Sequence, residues 1–475
     1  MERTKKPHVL VIPYPTQGHV NPMLQFSNTL SSKGIHTTVA LTTFIFNTFK
    51  PSTTTSFEWD TISDGFDDTG FTGARNIDDY LFQIKTNGTK TLIDLIRRHQ
   101  SSDHPIHGIV YDSFMPWALD VAKGFGLMAA AFFTQPCSVN FIYYCSHVGL
   151  LSLPSSPVTI PGLPSFFSAP DCYPQYFQLV LNQWSNREGA DWILVNSIHE
   201  FEAEEGDEIL KIGPTLTIGP TIPSFYLGNP IENDKKYELN LFKVGADEAY
   251  LTRTWLESKP NRSVVYVSFG SMANLSITQM AEFASGLVES NYYFIGVIRV
   301  SEEEKLPKGF GPEKGLTLNW CSHLEMLLNK AIGCFFTHCG WNSTLEALCL
   351  GVPMLGMPQW TDQPTIAKYV KDVWKVGVRV KVGEDGIVRK DEIKACIEAV
   401  MEGDRDRSIE FKQNALKWKQ LGLKALQQGG SSMKNIDQLV SSLREKTSAD
   451  YRFLIMFMSL SFNIGVQNVF ILLCM

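Results

Sequence analysis

Residues 320–363 read WCSHLEMLLNKAIGCFFTHCGWNSTLEALCLGVPMLGMPQWTDQ, and the rest of the chain is organised around this stretch. Inside it, the apolar run Ala331 to Phe336 lacks helical spacing and predicts a buried strand. The pattern Ser343-Thr344-Leu345-Glu346 predicts a capping box, with a helix opened by Asn342 or Ser343. A helix that begins just past a strand presents free N–H groups and the positive end of its dipole. We therefore expect a diphosphate site between this strand and this helix.

Taken alone, the capping pattern favours a plainer interpretation in which Ser343 and Glu346 only cap the helix. The whole stretch, however, resembles the nucleotide-sugar signature of plant family-1 UDP-glycosyltransferases, and the resemblance extends over about residues 7–445. It implies an α/β protein of two facing Rossmann-like domains (GT-B type) with the active site in the interdomain cleft.

The resemblance also implies a role for each polar position of the site. Trp320 would stack on uracil, the Cys321 backbone would contact the uracil edge, and Glu346 would accept hydrogen bonds from the ribose hydroxyls. The diphosphate would be held by Ser271, His338, Asn342 and Ser343, and the sugar by Thr134, Trp341, Asp362 and Gln363. An indole offers a flat face to a base, and one carboxylate can accept two hydrogen bonds from a vicinal diol.

Two positions depart from the family pattern. His323 stands where a Gln that hydrogen-bonds the ribose is usual, and Asn329 stands where a His is common. We expect His323 to change the affinity for the nucleotide but not its identity. Gln363, as in glucose-transferring relatives, implies glucose rather than galactose.

Length and composition define the class of protein. A chain of 475 residues with 44% hydrophobic residues is long enough for two domains with separate cores. A net charge of −7 argues against nucleic acid as a partner. Nine cysteines without framework spacing indicate free thiols in a reducing compartment, and the apolar run at His8 to Ile12 is too short for a signal peptide. We expect a cytoplasmic enzyme without an obligate protein partner.

The domain boundaries follow from composition and from the resemblance. We expect an N-terminal acceptor-binding domain over 1–217, and a linker rich in proline and polar residues over 218–250. A C-terminal UDP-sugar-binding domain should occupy 251–428, followed by a helix over 429–446 that packs back on the N-terminal domain. The remainder, 447–475, is an atypical apolar tail.

His19 and Asp112 are the candidate catalytic pair. The run His8 to Pro13 predicts a strand, and Asn21-Pro22 predicts the start of the next helix, which places His19 in the loop between them. Asp112 ends a second predicted strand, and the carboxyl ends of parallel strands form the ligand-binding edge. A lone His is more often structural, and Asp112 is equally well explained as a helix cap. The resemblance of residues 18–22 to the family's catalytic-histidine segment implies that His19 is the base and Asp112 its partner.

The region 141–176 is rich in proline and aromatic residues. It predicts few regular elements and an aromatic wall for a largely apolar acceptor, although these rings are equally well explained as core. Thr134, before this region, is also explained as an ordinary turn hydroxyl.

The tail from 453 to 475 is uncharged and has about the 20 residues that a bilayer span requires. Asn463, Gln467 and Asn468 would be costly in lipid, so we expect an aberrant carboxyl end, with a weak membrane anchor as the alternative.

The expected activity is inverting transfer of glucose from UDP-glucose, a cosubstrate, to a hydroxyl, carboxyl or thiol group of a plant secondary metabolite or hormone. We expect no cofactor and no metal, because Cys321, His323, His338 and Cys339 fit no common zinc spacing. One rival is a nucleotide-sugar-binding protein with little turnover. A nicotinamide-dependent oxidoreductase, the other rival, would need a GxGxxG after its first strand, and residues 13–18 do not provide one.

Overall fold

The computed structural model describes residues 6–50, 55–151, 162–228, 246–270, 273–308, 310, 314–402 and 406–464, with the backbone alone described over 246–249 and 450–464. The first of two sheets has seven parallel strands in the order β3-β2-β1-β4-β5-β6-β7. Its strands are β1 (His8–Ile12), β2 (His36–Thr42), β3 (Glu58–Ile62), β4 (Gly108–Asp112), β5 (Met128–Phe133), β6 (Trp192–Val195) and β7 (Thr215–Thr217).

The second sheet has six parallel strands in the order β10-β9-β8-β11-β12-β13. They are β8 (Val264–Ser268), β9 (Tyr293–Val297), β10 (Gly315–Leu318), β11 (Ile332–Thr337), β12 (Met354–Gly356) and β13 (Gly377–Arg379). Two parallel-sheet, Rossmann-like α/β domains are thus present, which confirms the expected fold class.

Helices connect the strands. In the first half these are α1 (Gln17–Ser32), α2 (Thr43–Phe49), α3 (Ile77–Gln100), α4 (Trp117–Gly124), α5 (Cys137–His147), α6 (Ser165–Ser168), α7 (Pro174–Asn182) and α8 (Ala203–Leu210). In the second half they are α9 (Ala246–Glu257), α10 (Ile277–Glu289), α11 (Val300–Glu303), α12 (His323–Leu328), α13 (Trp341–Leu350), α14 (Gln363–Lys368), α15 (Lys390–Met401), α16 (Asp406–Leu426) and α17 (Ser431–Ile464).

The central strands are buried along their whole length, as strands β1, β4, β8 and β11 show. A parallel sheet covered by helices on both faces requires such continuous apolar runs, and these runs allow buried strands to be located in the sequence. The strands expected over His8 to Pro13 and over Ala331 to Phe336 are confirmed as β1 and β11, within one residue at each end.

Each sheet has a point where the chain order reverses, between β1 and β4 in the first and between β8 and β11 in the second. Ligands of open parallel sheets bind outside the carboxyl ends of the strands at such points. The fold therefore directs attention to the residues that follow these four strands.

Three local expectations were wrong. Helix α1 begins at Gln17 and contains Pro22, so His19 lies in its first turn rather than in a loop. The region 141–176 contains most of α5, all of α6 and the start of α7 at Pro174, while its residues 152–161 lie outside the described part. The last helix, expected to end near residue 446, continues to Ile464.

The first part of α17 packs on the N-terminal sheet. Ile436, Leu439, Val440 and Leu443 are buried in one cluster with strand residues of that sheet such as Val9. Their spacing of three and four residues forms one helix face, and Asn435 donates to the Thr217 carbonyl at 2.8 Å. No helix in the described part of the chain is long and apolar enough to cross a membrane.

Candidate active site

The His19 and Asp112 side chains meet where the N-terminal sheet reverses its strand order. His19 Nδ1 lies 2.7 Å from Asp112 Oδ2, and the side chains of His19 and Asp112 are 15% and 0% exposed. The other oxygen of Asp112 accepts the backbone N–H of Phe114 at 3.0 Å. A carboxylate held in this way binds the Nδ1 proton of the imidazole and leaves the lone pair on Nε2. The pair therefore has the arrangement of a general base and the group that orients it.

The alternative role of Asp112 as a helix cap is wrong. Helix α4 begins at Trp117 and follows Pro116, without a side-chain cap. Both Asp112 oxygens are instead engaged by His19 and by Phe114 in a turn at the strand end.

Two aromatic rings enclose the imidazole. The Phe114 ring lies 4.6 Å from the His19 ring and the Tyr14 ring 5.5 Å from it, centroid to centroid. Burial raises the pKa of the Tyr14 phenol, which therefore stays neutral. Thr134, expected at the sugar, lies beside this pair with its Oγ1 3.4 Å from His19 Nδ1. The candidate base is therefore flanked by two aromatic rings and one hydroxyl group.

On the opposite side of the cleft, the loop after β11 leads directly into α13. The helix begins at Trp341, and its N-cap residue Gly340 is extended and provides no side-chain cap. The predicted capping box is therefore wrong: Ser343 and Glu346 lie inside the helix, two residues or more past its start. This result removes the capping explanation for both side chains, and ligand binding by them stays a prediction.

His338 is held between two glycines at the reversal point of the second sheet. A Cβ on Gly340 would lie 2.5 Å from His338 Nε2, and one on Gly270 would lie 2.8 Å from the same atom. Both glycines are therefore needed to let the ring sit against the backbone of two loops. Burial lowers the pKa of His338 to about 4, so the imidazole is neutral at neutral pH. Its Nδ1 has no hydrogen-bond partner among the described residues.

The predicted uracil residues follow β10. Trp320 is half-buried, and Cys321 is buried with its thiol 3.4 Å from the Tyr266 hydroxyl. Asn329 has a structural role, since its Oδ1 accepts the Ala331 N–H at 2.9 Å in the turn that enters β11. Ser271, predicted to contact the phosphates, lies outside the described residues.

His323 is placed beside the predicted ribose residue. Its Nδ1 lies 3.7 Å from Glu346 Oε2, and its Nε2 lies 3.2 Å from Ser268 Oγ. Burial lowers the pKa of His323 to about 4. With Nε2 at the Ser268 hydroxyl, the neutral imidazole has only Nδ1 left, as one donor or one acceptor for a ribose hydroxyl.

The other three predicted sugar residues, Trp341, Asp362 and Gln363, are buried, as Thr134 is. The Trp341 indole N–H donates to the Asn196 carbonyl at 2.7 Å, so it is not available to a sugar. Gln363 Oε1 accepts two backbone N–H groups, from Gln359 and Trp360, which leaves the amide nitrogen of Gln363 for a ligand. Desolvation raises the pKa of Asp362, whereas a hydrogen bond from Thr361 and the nearby His19 oppose the rise. Asp362 thus lies within electrostatic reach of the base across the cleft.

The C-terminal half also reaches the aromatic region of the N-terminal half. The Trp360 ring lies 5.4 Å from Tyr173, 5.5 Å from Tyr176 and 6.4 Å from Phe166. Among the rings of the region 141–176, Tyr143, Phe166 and Phe167 are buried in the core, while Phe141 and Tyr144 are half-buried. Core packing therefore accounts for the first three.

Within the described ranges, no group of three or more His, Cys, Asp or Glu side chains is placed to hold a metal ion. Every described cysteine is a free thiol.

Sequence reasoning missed several contributors to the site. Tyr14 and Phe114 flank the candidate base, and Trp360 covers the aromatic region from the other domain. Phe114 could have been suspected from its place two residues after Asp112. The sequence does not indicate that Trp360 contacts Tyr173 and Tyr176, because the two segments are far apart along the chain.

Comparison with known proteins extends over nearly the whole chain. A family model described as UDP-glucoronosyl and UDP-glucosyl transferase matches residues 244–422. UDP-glycosyltransferase 74F2 of Arabidopsis thaliana is 53% identical over 452 residues, covering 93% of this chain and 99% of that protein. Flavonol 7-O-beta-glucosyltransferase UGT74F1 of the same plant is 51% identical, with 92% and 99% covered. The crystal structure of Os79 from O. sativa in complex with UDP matches with a TM-score of 0.87 at 36% identity, covering 92% of this chain and 100% of that one.

Proposed function

The chain belongs to the plant UDP-glycosyltransferases, and from this premise we propose that it transfers glucose from UDP-glucose to a hydroxyl, carboxyl or thiol group of a small acceptor. The family establishes transfer of a sugar from a UDP-sugar to a small molecule. The choice of glucose, the inverting course and the acceptor groups are the parts we propose.

The hydrogen-bonded pair His19 and Asp112 is the observation that carries the proposal. With its Nδ1 proton bound by a fully buried carboxylate, His19 can accept the proton of an acceptor hydroxyl on Nε2 as the oxygen attacks. Asp112 then stabilises the imidazolium that forms. An acceptor carboxylate carries no proton at neutral pH, so for that class the same site would need only to orient the nucleophile.

The donor would lie against the start of α13, facing the base. The anomeric carbon would be attacked from the side opposite the leaving UDP, and a single displacement converts an α-linked donor into a β-glucoside or a glucose ester. The departing diphosphate gains negative charge, which the free N–H groups of the helix start and the side chains of Asn342 and Ser343 can stabilise. His338, neutral and unpartnered at Nδ1, can donate or accept a hydrogen bond there.

Several observations support the choice of substrates. Os79, which shares the fold at 36% identity, binds UDP. The name of UGT74F1 describes a flavonol glucosyltransferase, and the rings of Tyr14, Phe114 and Trp360 around the cleft suit a small, largely apolar acceptor. The free amide nitrogen of Gln363 and the carboxylate of Asp362 could bind adjacent sugar hydroxyls.

Mass-detected product formation from UDP-glucose tests the proposal, with a panel of phenolic, carboxylic, thiol and terpenoid acceptors. We expect new hexosides with the wild-type chain, and none on the hydroxyl acceptors with His19→Ala, whose UDP binding should be unchanged. Measurable UDP binding with no product from any acceptor would refute the proposal and favour a nucleotide-sugar-binding protein.

A further inference from the structure

The first two residues of α13 each donate a side-chain hydrogen bond across the cleft. Asn342 Nδ2 donates to the Gly18 carbonyl at 2.7 Å, and Trp341 Nε1 donates to the Asn196 carbonyl at 2.7 Å. Both acceptors belong to the N-terminal half, at the edge of its sheet that carries the candidate base. Two hydrogen bonds therefore connect α13, the helix proposed to bind the donor diphosphate, to the N-terminal half, which is proposed to bind the acceptor.

The Gly18 carbonyl is available for a structural reason. In an α-helix the carbonyl of residue 18 pairs with the N–H of residue 22, and in α1 that residue is Pro22, which has no N–H. A carbonyl orphaned near the helix start needs another partner. Asn342 provides it, one residue before His19.

The second acceptor is itself fixed in place. Asn196 is fully buried, its N–H donates to the Phe133 carbonyl at 2.9 Å, and its Oδ1 accepts the Thr221 N–H at 3.2 Å and hydroxyl at 3.0 Å. Trp341 is buried as well. Its hydrogen bond therefore ties the start of α13 to a rigid point at the end of β6.

We propose that Trp341 and Asn342 are positioning residues that fix the first turn of α1, and with it His19, relative to the donor. This inference rests on the proposed glucosyl transfer, in which the base and the donor helix must act on one acceptor atom. Asn342 can still bring its amide to a phosphate, since an NH₂ group has two hydrogens. The side chain of Trp341 has the positioning role alone.

Hydrogen–deuterium exchange of the ligand-free chain tests the effect of these two hydrogen bonds on α1 without requiring enzyme turnover. The amides of His19 and Val20 both donate to the Thr16 carbonyl, at 3.0 and 2.9 Å, and report on the first turn of α1. In the Trp341→Phe and Asn342→Ala variants these two amides should each exchange about tenfold faster, because loss of the hydrogen bond allows the first turn of α1 to open more often. Trp418→Phe is the matched control: its indole N–H donates to the Trp374 carbonyl at 2.9 Å, within the C-terminal half. Unchanged exchange in both test variants, or equal acceleration in the control, would overturn the proposal.

Kinetics with UDP-glucose then separate positioning from binding. Trp341→Phe should lower kcat about tenfold to a hundredfold, since small displacements of a reacting group are costly, while its dissociation constant for UDP stays within twofold of wild type. Trp418→Phe should retain wild-type kcat. A Trp341→Phe loss that lies entirely in UDP affinity would assign the residue to donor binding and contradict the inference. Absence of turnover in the wild type would refute the proposed function instead. The exchange measurement would still show whether Trp341 and Asn342 hold the first turn of α1 in place.

Discussion

Replacing Asp112 with Asn should nearly abolish transfer to alcohols, because the substitution forces His19 into the wrong tautomer. Asp112 has one oxygen on the Phe114 N–H at 3.0 Å and the other on His19 Nδ1 at 2.7 Å. In the variant, the amide oxygen must keep the Phe114 position, since two N–H groups cannot face each other. The amide NH₂ then faces Nδ1, which becomes an acceptor, and the proton moves to Nε2. A protonated Nε2 cannot take the proton of the acceptor.

The expected loss is about 10³- to 10⁴-fold in kcat, or roughly 4 to 5.5 kcal/mol of transition-state stabilisation. Asp112→Ala is the matched comparison, because it removes the orienting oxygen without imposing a tautomer. Its loss should be smaller, about 10²-fold.

The assay is steady-state transfer of glucose to a phenolic alcohol under saturating UDP-glucose. Circular dichroism would confirm folding, and calorimetry would confirm that UDP binding is unchanged. Two results would refute the reasoning: an Asn variant within tenfold of wild type, or an Ala variant less active than the Asn variant while both are folded.

Three further substitutions test other parts of the account. The buried carboxylate of Glu202 accepts hydrogen bonds from two backbone N–H groups and two hydroxyl groups, at 2.6 to 3.0 Å. Glu202→Gln should therefore lower the free energy of unfolding, measured by urea titration, by about 3 kcal/mol. A loss below about 1 kcal/mol would contradict this expectation. Burial lowers the pKa of His8 from 6.5 to about 3. As the pH falls below 6.5, the imidazole of the unfolded chain becomes protonated while that of the folded chain stays neutral. The free energy of unfolding therefore decreases as the pH falls below 6.5. From about pH 7 to about pH 5 the wild type should lose about 2 kcal/mol that His8→Asn does not lose, and parallel pH profiles would exclude this linkage. Gly340→Ala should displace the His338 ring and weaken UDP binding about tenfold in calorimetry. Gly296→Ala is the control and should bind UDP normally, because a Cβ at that position meets nothing within 4 Å. Equal affinities of the two variants for UDP would show that the position of the His338 ring does not matter.

The parallel strands were predictable because their burial leaves a continuous apolar run in the sequence. Strands β1 and β11 were located within one residue at each end. The edge on which His19 and Asp112 meet followed from the same argument, since carboxyl ends of parallel strands share one side of the sheet.

The helix starts were harder to predict, because local patterns compete with tertiary contacts. Asn21-Pro22 is typical of a helix start, yet α1 begins at Gln17 and keeps Pro22 inside. Its orphaned Gly18 carbonyl is satisfied by Asn342, from 324 positions along the chain, which no local pattern can show. The capping-box pattern at Ser343 failed similarly, because the extended Gly340 already ends the loop.

The remaining parts of the site depend on packing between distant segments. The rings of Tyr14 and Phe114 on His19 arise from two strand ends, and the contact of Trp360 with Tyr176 joins two domains. The specific functional assignments therefore came from the resemblance of residues 320–363 to a known signature, and the fold supplied their mutual geometry.

The anomeric configuration of the product tests the central claim most directly. Proton NMR of the glucoside formed from UDP-glucose and an alcohol acceptor distinguishes β from α products by the coupling of the anomeric proton. A single displacement assisted by His19 predicts a β-glucoside from the wild type and no glucoside from His19→Ala. An α-glucoside, or undiminished product from His19→Ala, would contradict the account.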